Sequence, residues 1–187
     1  ATGTKSKYRA NRALALIRHM YNKAIVWGLS VSDNPTRGVG MFPEQSRRRF
    51  LRPDEIPRFY HALEQTPNRV FRNYILLSLY CGQRRGNMLA LRWQDVDFTQ
   101  RVIYIADTKS NEPQTVPLVD QAYDLLVEMK KDAVNEWIFP SNRKQGHHLT
   151  DARGAWNDLL KRANIQDFRL HDLRRTFGSY MAKRNTN

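Results

Sequence analysis

Features of membrane-spanning and secreted proteins are missing from this sequence of 187 residues. It has a single cysteine, Cys81, so neither an internal disulfide nor a cysteine-rich zinc site can form. No apolar run approaches the ~20 residues that a bilayer-spanning helix needs, and no signal peptide is recognisable at the start. We therefore expect a cytoplasmic protein that does not bind a membrane.

Acidic residues are scarce relative to basic ones, with 18 Asp and Glu against 31 Lys and Arg and a formal net charge of +13. The imbalance is steepest over residues 1–50, where ten Lys and Arg face only Asp33 and Glu44. Clustered cations gain affinity for phosphates because binding releases condensed counterions. The charge therefore predicts nucleic acid as the partner, with an anionic membrane surface as the weaker alternative.

The spacing of apolar residues predicts a mainly helical chain with one small sheet. In the first helix, residues 9–27, apolar side chains recur every three or four positions, as in a stripe that faces a core. Further helices are expected at 53–65, 69–80, 86–91, 119–131, 150–163 and 171–184. Residues 102–118 alternate, break and resume, which is typical of a β-hairpin. The predicted fold class is α+β, with a small antiparallel sheet.

Glycines and prolines punctuate residues 35–50, which end in three consecutive arginines. This composition predicts a basic linker between a helical module, residues 1–34, and a main domain, residues 51–187. Basic side chains on a solvated face usually contact only water, but here they greatly outnumber acids. The side chains that we expect to contact DNA are Arg12, Arg18, Arg47, Arg48, Arg49 and Arg85.

Four basic residues could serve the chemistry of one phosphate: Arg84, Lys109, His171 and Arg174. Two guanidiniums can neutralise the non-bridging oxygens as negative charge grows on them. A lysine can protonate a leaving oxygen, and a histidine can move protons near neutral pH. Taken singly, each has a plainer interpretation as a surface charge, a turn residue or a hydrogen-bonded structural group.

Taken in order, these motifs resemble the catalytic domain of the tyrosine recombinases, the phage-integrase family. The segment CGQRRGN matches the family's T-G-x-R-x-G-E pattern and places its first arginine at Arg84. The family's lysine lies in a hairpin turn, matched by Lys109, and its H-x-x-R motif is matched by His171 and Arg174. Residues 10–39 resemble the last part of the family's helical core-binding domain.

The resemblance implies a reaction without metal or other cofactor. A tyrosine attacks the scissile phosphate, which gives a 3′-phosphotyrosyl link and a free 5′-hydroxyl that later reseals the strand. Arg84 and Arg174 would hold the phosphate, Lys109 would protonate the departing 5′-oxygen, and His171 would orient the phosphate and assist proton transfer. The partner would be double-stranded DNA, on which the full-length protein would assemble as a tetramer.

Three departures from the family's pattern qualify this expectation. Cys81 replaces a common threonine, and Asn87 replaces a common acidic residue, so it cannot hold Arg84 by charge. The family's later leucine-glycine-histidine motif and nucleophilic tyrosine do not follow Arg174 here. Tyr180 lies six residues later, about 120° away on a helix, and we expect it to be structural. We therefore expect a monomeric fragment that is inactive in strand cleavage.

Two other function classes stay open. A metal-dependent nuclease could use Asp95, Asp97 and Asp107 with Lys109, although it would leave the arginine motifs unexplained. A non-catalytic DNA-binding protein would need only the basic surface.

Overall fold

The computed structural model describes residues 2–29, 33–106 and 112–184, with side chains from residue 6 onward. The chain divides into two compact units, residues 1–47 and 48–187. Within the described ranges, no helix is both long enough and apolar enough to cross a membrane.

The first unit contains helix α1, Thr2–Val26. Residues 33–47, which follow it, are hydrogen-bonded to the polar side of this helix. The Asn11 amide donates to the carbonyl of Phe42 (2.9 Å) and to Oε1 of Glu44 (2.8 Å). The Asn34 amide donates to the carbonyl of Arg18 (3.0 Å). Much of the segment predicted to be a linker is thus attached to α1, and the boundary between units falls after residue 47. The assignment of these units to family domains stays a prediction.

The apolar stripe of α1, which the sequence predicts to face a core, is exposed. Ile17 is 43% exposed, Met20 is 59% exposed and Trp27, just beyond the helix, is 67% exposed. The hydrogen bonds that attach the following segment come from the opposite, polar side of the helix. Nothing in the described residues of this unit therefore buries the stripe.

The second unit confirms the predicted fold class. Its helices are α2 Ile56–Glu64, α3 Arg69–Cys81, α4 Arg85–Leu89, α5 Asp120–Lys131, α6 Arg153–Arg162 and α7 Asp172–Arg184. Its strands, β1 Val96–Asp97, β2 Val102–Ile105 and β3 Gln114–Pro117, form an antiparallel sheet in the order β1-β2-β3. A single turn of 3-10 helix, Trp93–Asp95, precedes β1.

Helix α3 forms the centre of the second unit and packs against α5 and α7. Its side chains Phe71, Tyr74, Ile75 and Leu77 are at most 1% exposed, so it is apolar on most of its surface, as expected for a helix inside a core. The Asn68 side chain caps its first turn by accepting the Phe71 N–H. This burial fixes the direction in which α3 ends, and with it the position of the CGQRRGN segment.

Candidate phosphate-binding site

A glycine turn joins α3 to the segment that carries Arg84. Gly82 adopts the left-handed conformation with φ 59°, and its N–H donates to the carbonyl of Ser78. A Cβ atom at Gly82 would lie 2.2 Å from Cδ1 of Phe177 on α7. Only a hydrogen atom fits there, so glycine is required both by the backbone and by the packing. Arg84 follows two residues later, immediately before α4.

The start of α7 is fixed by a carboxylate that the sequence did not single out. Asp172 is fully buried and accepts hydrogen bonds from the N–H of Arg169 (2.9 Å) and from Nη1 of Arg175 (2.6 Å). The Thr176 hydroxyl donates to the carbonyl of Asp172 (2.8 Å), and its oxygen accepts the N–H of Leu51 (2.9 Å). An acid in a first helical turn, three residues before an arginine, was the available signal.

Arg174 lies in the first turn of α7 and is half-buried, whereas His171 is exposed in the turn just before the helix. The helix expected at 171–184 begins one residue later, at Asp172, so His171 lies just before its first residue.

The contact between Gly82 and Phe177 brings the two arginine motifs together. Arg84 lies two residues beyond Gly82, and Arg174 lies three residues, about one turn, before Phe177. Both arginines are half-buried, and among the described residues neither forms an ion pair. A partly desolvated cation without a counter-charge is unfavourable, so each arginine would be stabilised by an anion close to it.

The neighbouring arginines of the two motifs have partners within the protein. Nη2 of Arg85 donates to the carbonyl of Thr150 (3.0 Å), and Arg175 pairs with Asp172 (2.6 Å). Each motif therefore contains one arginine that is bound within the protein and one that forms no ion pair in the described residues.

Lys109 lies outside the described residues. The strands on either side of it, β2 and β3, pair in antiparallel fashion, with Ile105 opposite Gln114. This pairing agrees with the hairpin expected from the sequence. The role of Lys109 stays a prediction.

The two substitutions within CGQRRGN differ in their consequences. Cys81 is 2% exposed, and burial raises the pKa of its thiol to about 12, so the thiol stays neutral and acts as a packing group. Nδ2 of Asn87 is buried and has no hydrogen-bond partner in the described part of the chain. Asn87 therefore supplies no charge to orient Arg84, and its amide nitrogen is unpaired within the described residues.

The side chain of Tyr180 is hydrogen-bonded and packed within the second unit. Its hydroxyl donates to the carbonyl of Leu51 (3.2 Å), and its ring stands edge-on to Phe50 with the centroids 6.3 Å apart. Burial raises the pKa of this hydroxyl, and the charges of Asp54 and Glu55 raise it further. A nucleophilic hydroxyl needs a base or a lowered pKa, and Tyr180 has the opposite shift.

The carboxylates that a metal-dependent nuclease would use take part in turns. Asp95 accepts the N–H of Arg92 (2.9 Å), and Asp97 accepts the N–H of Gln100 (2.8 Å). Asp107 lies outside the described residues. Elsewhere in the described ranges, no three His, Cys, Asp or Glu side chains are grouped to hold a metal ion.

The arginines predicted to contact DNA fall into two groups. Arg12 pairs with Glu44 (3.3 Å) while staying largely exposed, and Arg48 is exposed. Arg18 instead donates to the carbonyls of Thr36 (3.1 Å) and Val39 (2.9 Å). These bonds are long-range in sequence, and the composition of the segment did not reveal them.

Arg49 is bound into the second unit, and Arg47 also has an interaction partner. The guanidinium of Arg49 bonds both oxygens of Glu55 (2.8 and 2.6 Å) and lies over the ring of Phe168, 5.1 Å from its centroid. Burial alone would raise the pKa of Glu55, but the bond from Arg49, the N–H of Arg52 and both arginine charges lower it overall.

Replacing Arg49 should therefore destabilise the protein, whereas replacing its neighbour should not. Arg49→Ala leaves the Glu55 charge buried without its partner, and we expect unfolding to cost roughly 3 kcal/mol less. Arg48→Ala removes an exposed charge and should change stability by less than about 0.5 kcal/mol. Urea unfolding followed by tryptophan fluorescence measures both.

The pH dependence gives a second check on the same pair. Because the pKa of Glu55 is lowered in the folded state, the pair's contribution is present above the unfolded pKa and lost as pH falls through the folded pKa. The stability gap between the unmodified chain and Arg49→Ala should narrow in acid. Equal effects of the two alanine variants, or a gap that widens in acid, would contradict this role.

Comparison with known proteins agrees with the geometry. Residues 49–187 match the family model described as the phage integrase family. The chain is 33% identical over 159 residues to an integrase of Salmonella phage P22, covering 75% of this chain and 38% of that protein. It is 32% identical over 134 residues to the prophage integrase IntF of Escherichia coli K12, covering 69% of this chain and 28% of that protein. The chain belongs to the phage integrase family of tyrosine recombinases.

Solved structures show the same fold. The Tn1549 transposon integrase in complex with circular intermediate DNA matches 97% of this chain and 68% of its own, with a TM-score of 0.75 and 18% identity. A lambda integrase dimer bound to a COC′ core site matches 95% of this chain and 68% of its own, with a TM-score of 0.71 and 20% identity. The chain spans less than two fifths of the length of the two curated relatives above.

Proposed function

We propose that this chain is the phosphate-binding part of a recombinase that cuts and rejoins DNA at specific sites through a 3′-phosphotyrosyl intermediate. The observation that carries the proposal is the pair Arg84 and Arg174. Both are half-buried, neither has an ion pair in the described residues, and they flank the contact between Gly82 and Phe177. The P22 and IntF proteins to which the chain is similar are both called integrases.

The proposed chemistry assigns each group to one part of the phosphate. Arg84 and Arg174 bind the non-bridging oxygens and stabilise the charge that grows there when the tyrosine oxygen attacks phosphorus. The bond from phosphorus to the 5′-oxygen breaks, and Lys109 donates the proton that this oxygen takes up. His171 orients the phosphate and assists proton transfer. No step needs a metal ion or another cofactor.

We place the nucleophilic tyrosine outside residues 1–187. Tyr180 is the tyrosine nearest to Arg174 in sequence, and its bond to the carbonyl of Leu51 and its raised pKa suit a structural role. Residues 1–187 alone should thus bind duplex DNA as a monomer without cutting it, and the longer protein should act as a tetramer on DNA. Residues 1–34 would belong to the core-binding domain and residues 51–187 to the catalytic domain.

Covalent attachment to DNA tests this function directly. A longer protein that includes residues 1–187 would be incubated, with EDTA present, with a duplex containing a target site selected by binding. We expect a protein linked to a DNA 3′-phosphate, whereas residues 1–187 alone should bind without forming this adduct. Cutting that needs magnesium and stops in EDTA would indicate a nuclease. Binding without any adduct in the longer protein would indicate a non-catalytic DNA-binding protein.

A further inference from the structure

A loop in the second unit carries positive charge without nearby acids. Residues 141–150 contain Arg143, Lys144, His147 and His148 and no Asp or Glu. We call residues 141–148 the basic loop. The next acid along the chain, Asp151, is already bonded through both oxygens to Arg153 (3.0 Å each).

The backbone of the basic loop is held by several hydrogen bonds, while the side chains of Arg143 and Lys144 face solvent. The Ser141 N–H donates to the carbonyl of His147 (2.8 Å), and the Ser141 hydroxyl accepts the N–H groups of Arg143 and Lys144 (3.2 Å each). The indole N–H of Trp137 donates to the loop's glycine carbonyl (3.0 Å). Little backbone entropy would therefore be lost when the side chains of Arg143 and Lys144 bind a ligand.

The cations of the basic loop differ from other exposed cations of this unit, several of which have a carboxylate partner. The paired cations are Arg58, Arg69, Arg92, Arg101, Lys131 and Arg153. Arg143 and Lys144 form no ion pair in the part of the chain that the structure describes. Their charge is therefore available to a polyanion.

The basic loop is also tied to the candidate phosphate site. Its chain continues to Thr150, whose carbonyl accepts the bond from Arg85, the residue after Arg84. A recess of about 300 Å³ lies beside the loop. Its lining includes Ser141, Arg143, Lys144 and Thr150. A duplex whose scissile phosphate lies at Arg84 must bring further phosphates past nearby surfaces, since each strand carries one for about every 3.4 Å of helix axis.

We propose that the basic loop binds backbone phosphates that flank the scissile phosphate, through Arg143 and Lys144. This assignment rests on the proposed function, because it takes duplex DNA as the ligand. Contacts of this kind position the protein on DNA and add affinity, but they carry no sequence information.

The test compares two double variants that lose the same charge. Arg143→Gln with Lys144→Gln removes the loop's cations, and Arg58→Gln with Lys131→Gln removes two that already have carboxylates (Asp54 and Glu128). Binding to a short duplex of arbitrary sequence would be measured against salt concentration. The loop variant should bind more weakly, with a log–log salt slope flatter by about 1.8, or 0.9 for each of two phosphates. The control should keep the slope of the unmodified chain.

The outcomes separate the loop assignment from the proposed function. If the unmodified chain does not bind duplex DNA, both fail. If it binds, and the loop variant either keeps its slope or changes no more than the control, only the loop assignment fails. Arg143→Lys keeps the charge and should bind like the unmodified chain, and a loss of affinity in that variant would also overturn the assignment. Equal melting temperatures would establish that all variants are folded.

Discussion

Replacing Arg84 or Arg174 by alanine in the longer protein should slow covalent attachment to DNA by at least about 10²-fold. Each guanidinium would meet charge that develops on the phosphate oxygens only as the tyrosine attacks. Removing one therefore costs more in the reaction than in binding, where many other cations contribute. Single-turnover adduct formation at saturating protein measures the reaction, and direct titration measures affinity.

Arg69→Ala is the matched control for this pair. Arg69 begins α3, whereas Arg84 follows the end of that helix, and Arg69 pairs with Asp132 (2.5 Å) away from the glycine turn. We expect the control to form the adduct at the unmodified rate. The rate of adduct formation by Arg84→Lys should lie between those of Arg84→Ala and the unmodified protein, because an ammonium keeps the charge but loses the planar fork. An Arg84→Ala variant that reacts like the control would remove Arg84 from the site.

The sequence predicted the helices of the second unit well because their burial is periodic. The apolar run that suggested a helix at 69–80 is the structure's α3, Arg69–Cys81, and the one at 150–163 is α6, Arg153–Arg162. Local periodicity is enough here, because each helix buries side chains along its own length. Strands β2 and β3 were predictable through their alternation, whereas β1, Val96–Asp97, is too short to show a period and was not predicted.

The contacts that shape the site could not be predicted in this way, because their partners are far apart in sequence. Leu51 bonds Thr176, and Arg49 lies over Phe168, more than a hundred residues away in each case. A run of three arginines gives no sign that its last member is bound to the fold. The apolar spacing correctly predicted an amphipathic helix α1, but it could not show that the described residues of the first unit leave the apolar side uncovered.

The same limit applies to the glycine between the two arginine motifs. CGQRRGN contains Gly82 and Gly86, and nothing local distinguishes their roles. In the structure, a Cβ at Gly82 overlaps Phe177, whereas a Cβ at Gly86 has no atom within 4 Å apart from its chain neighbours and its own helix backbone. One glycine is fixed by packing against α7 and the other is not, and this difference yields a paired test.

Gly82→Ala should destabilise the second unit by roughly 4 kcal/mol, whereas Gly86→Ala should be neutral or slightly stabilising. The first substitution combines about 1–2 kcal/mol of left-handed backbone strain with an overlap that α7 must move to relieve, typically 1–3 kcal/mol. The second adds a better helix former inside α4. Urea unfolding curves for the two variants measure the difference, and similar stabilities would mean that α7 does not rest on the turn.

A double variant separates the two causes. Phe177→Ala removes the ring that the new Cβ would meet, so Gly82→Ala should cost less in that background than in the unmodified protein. The remaining cost should be the strain of φ 59°, which no change on α7 can relieve. Arg84 and Arg174 are close in sequence to this contact, and a sulfate ion bound to them would raise the melting temperature. We expect Gly82→Ala to weaken this response. Phe177→Ala with glycine retained should keep more of that response, since the turn that positions Arg84 stays unstrained.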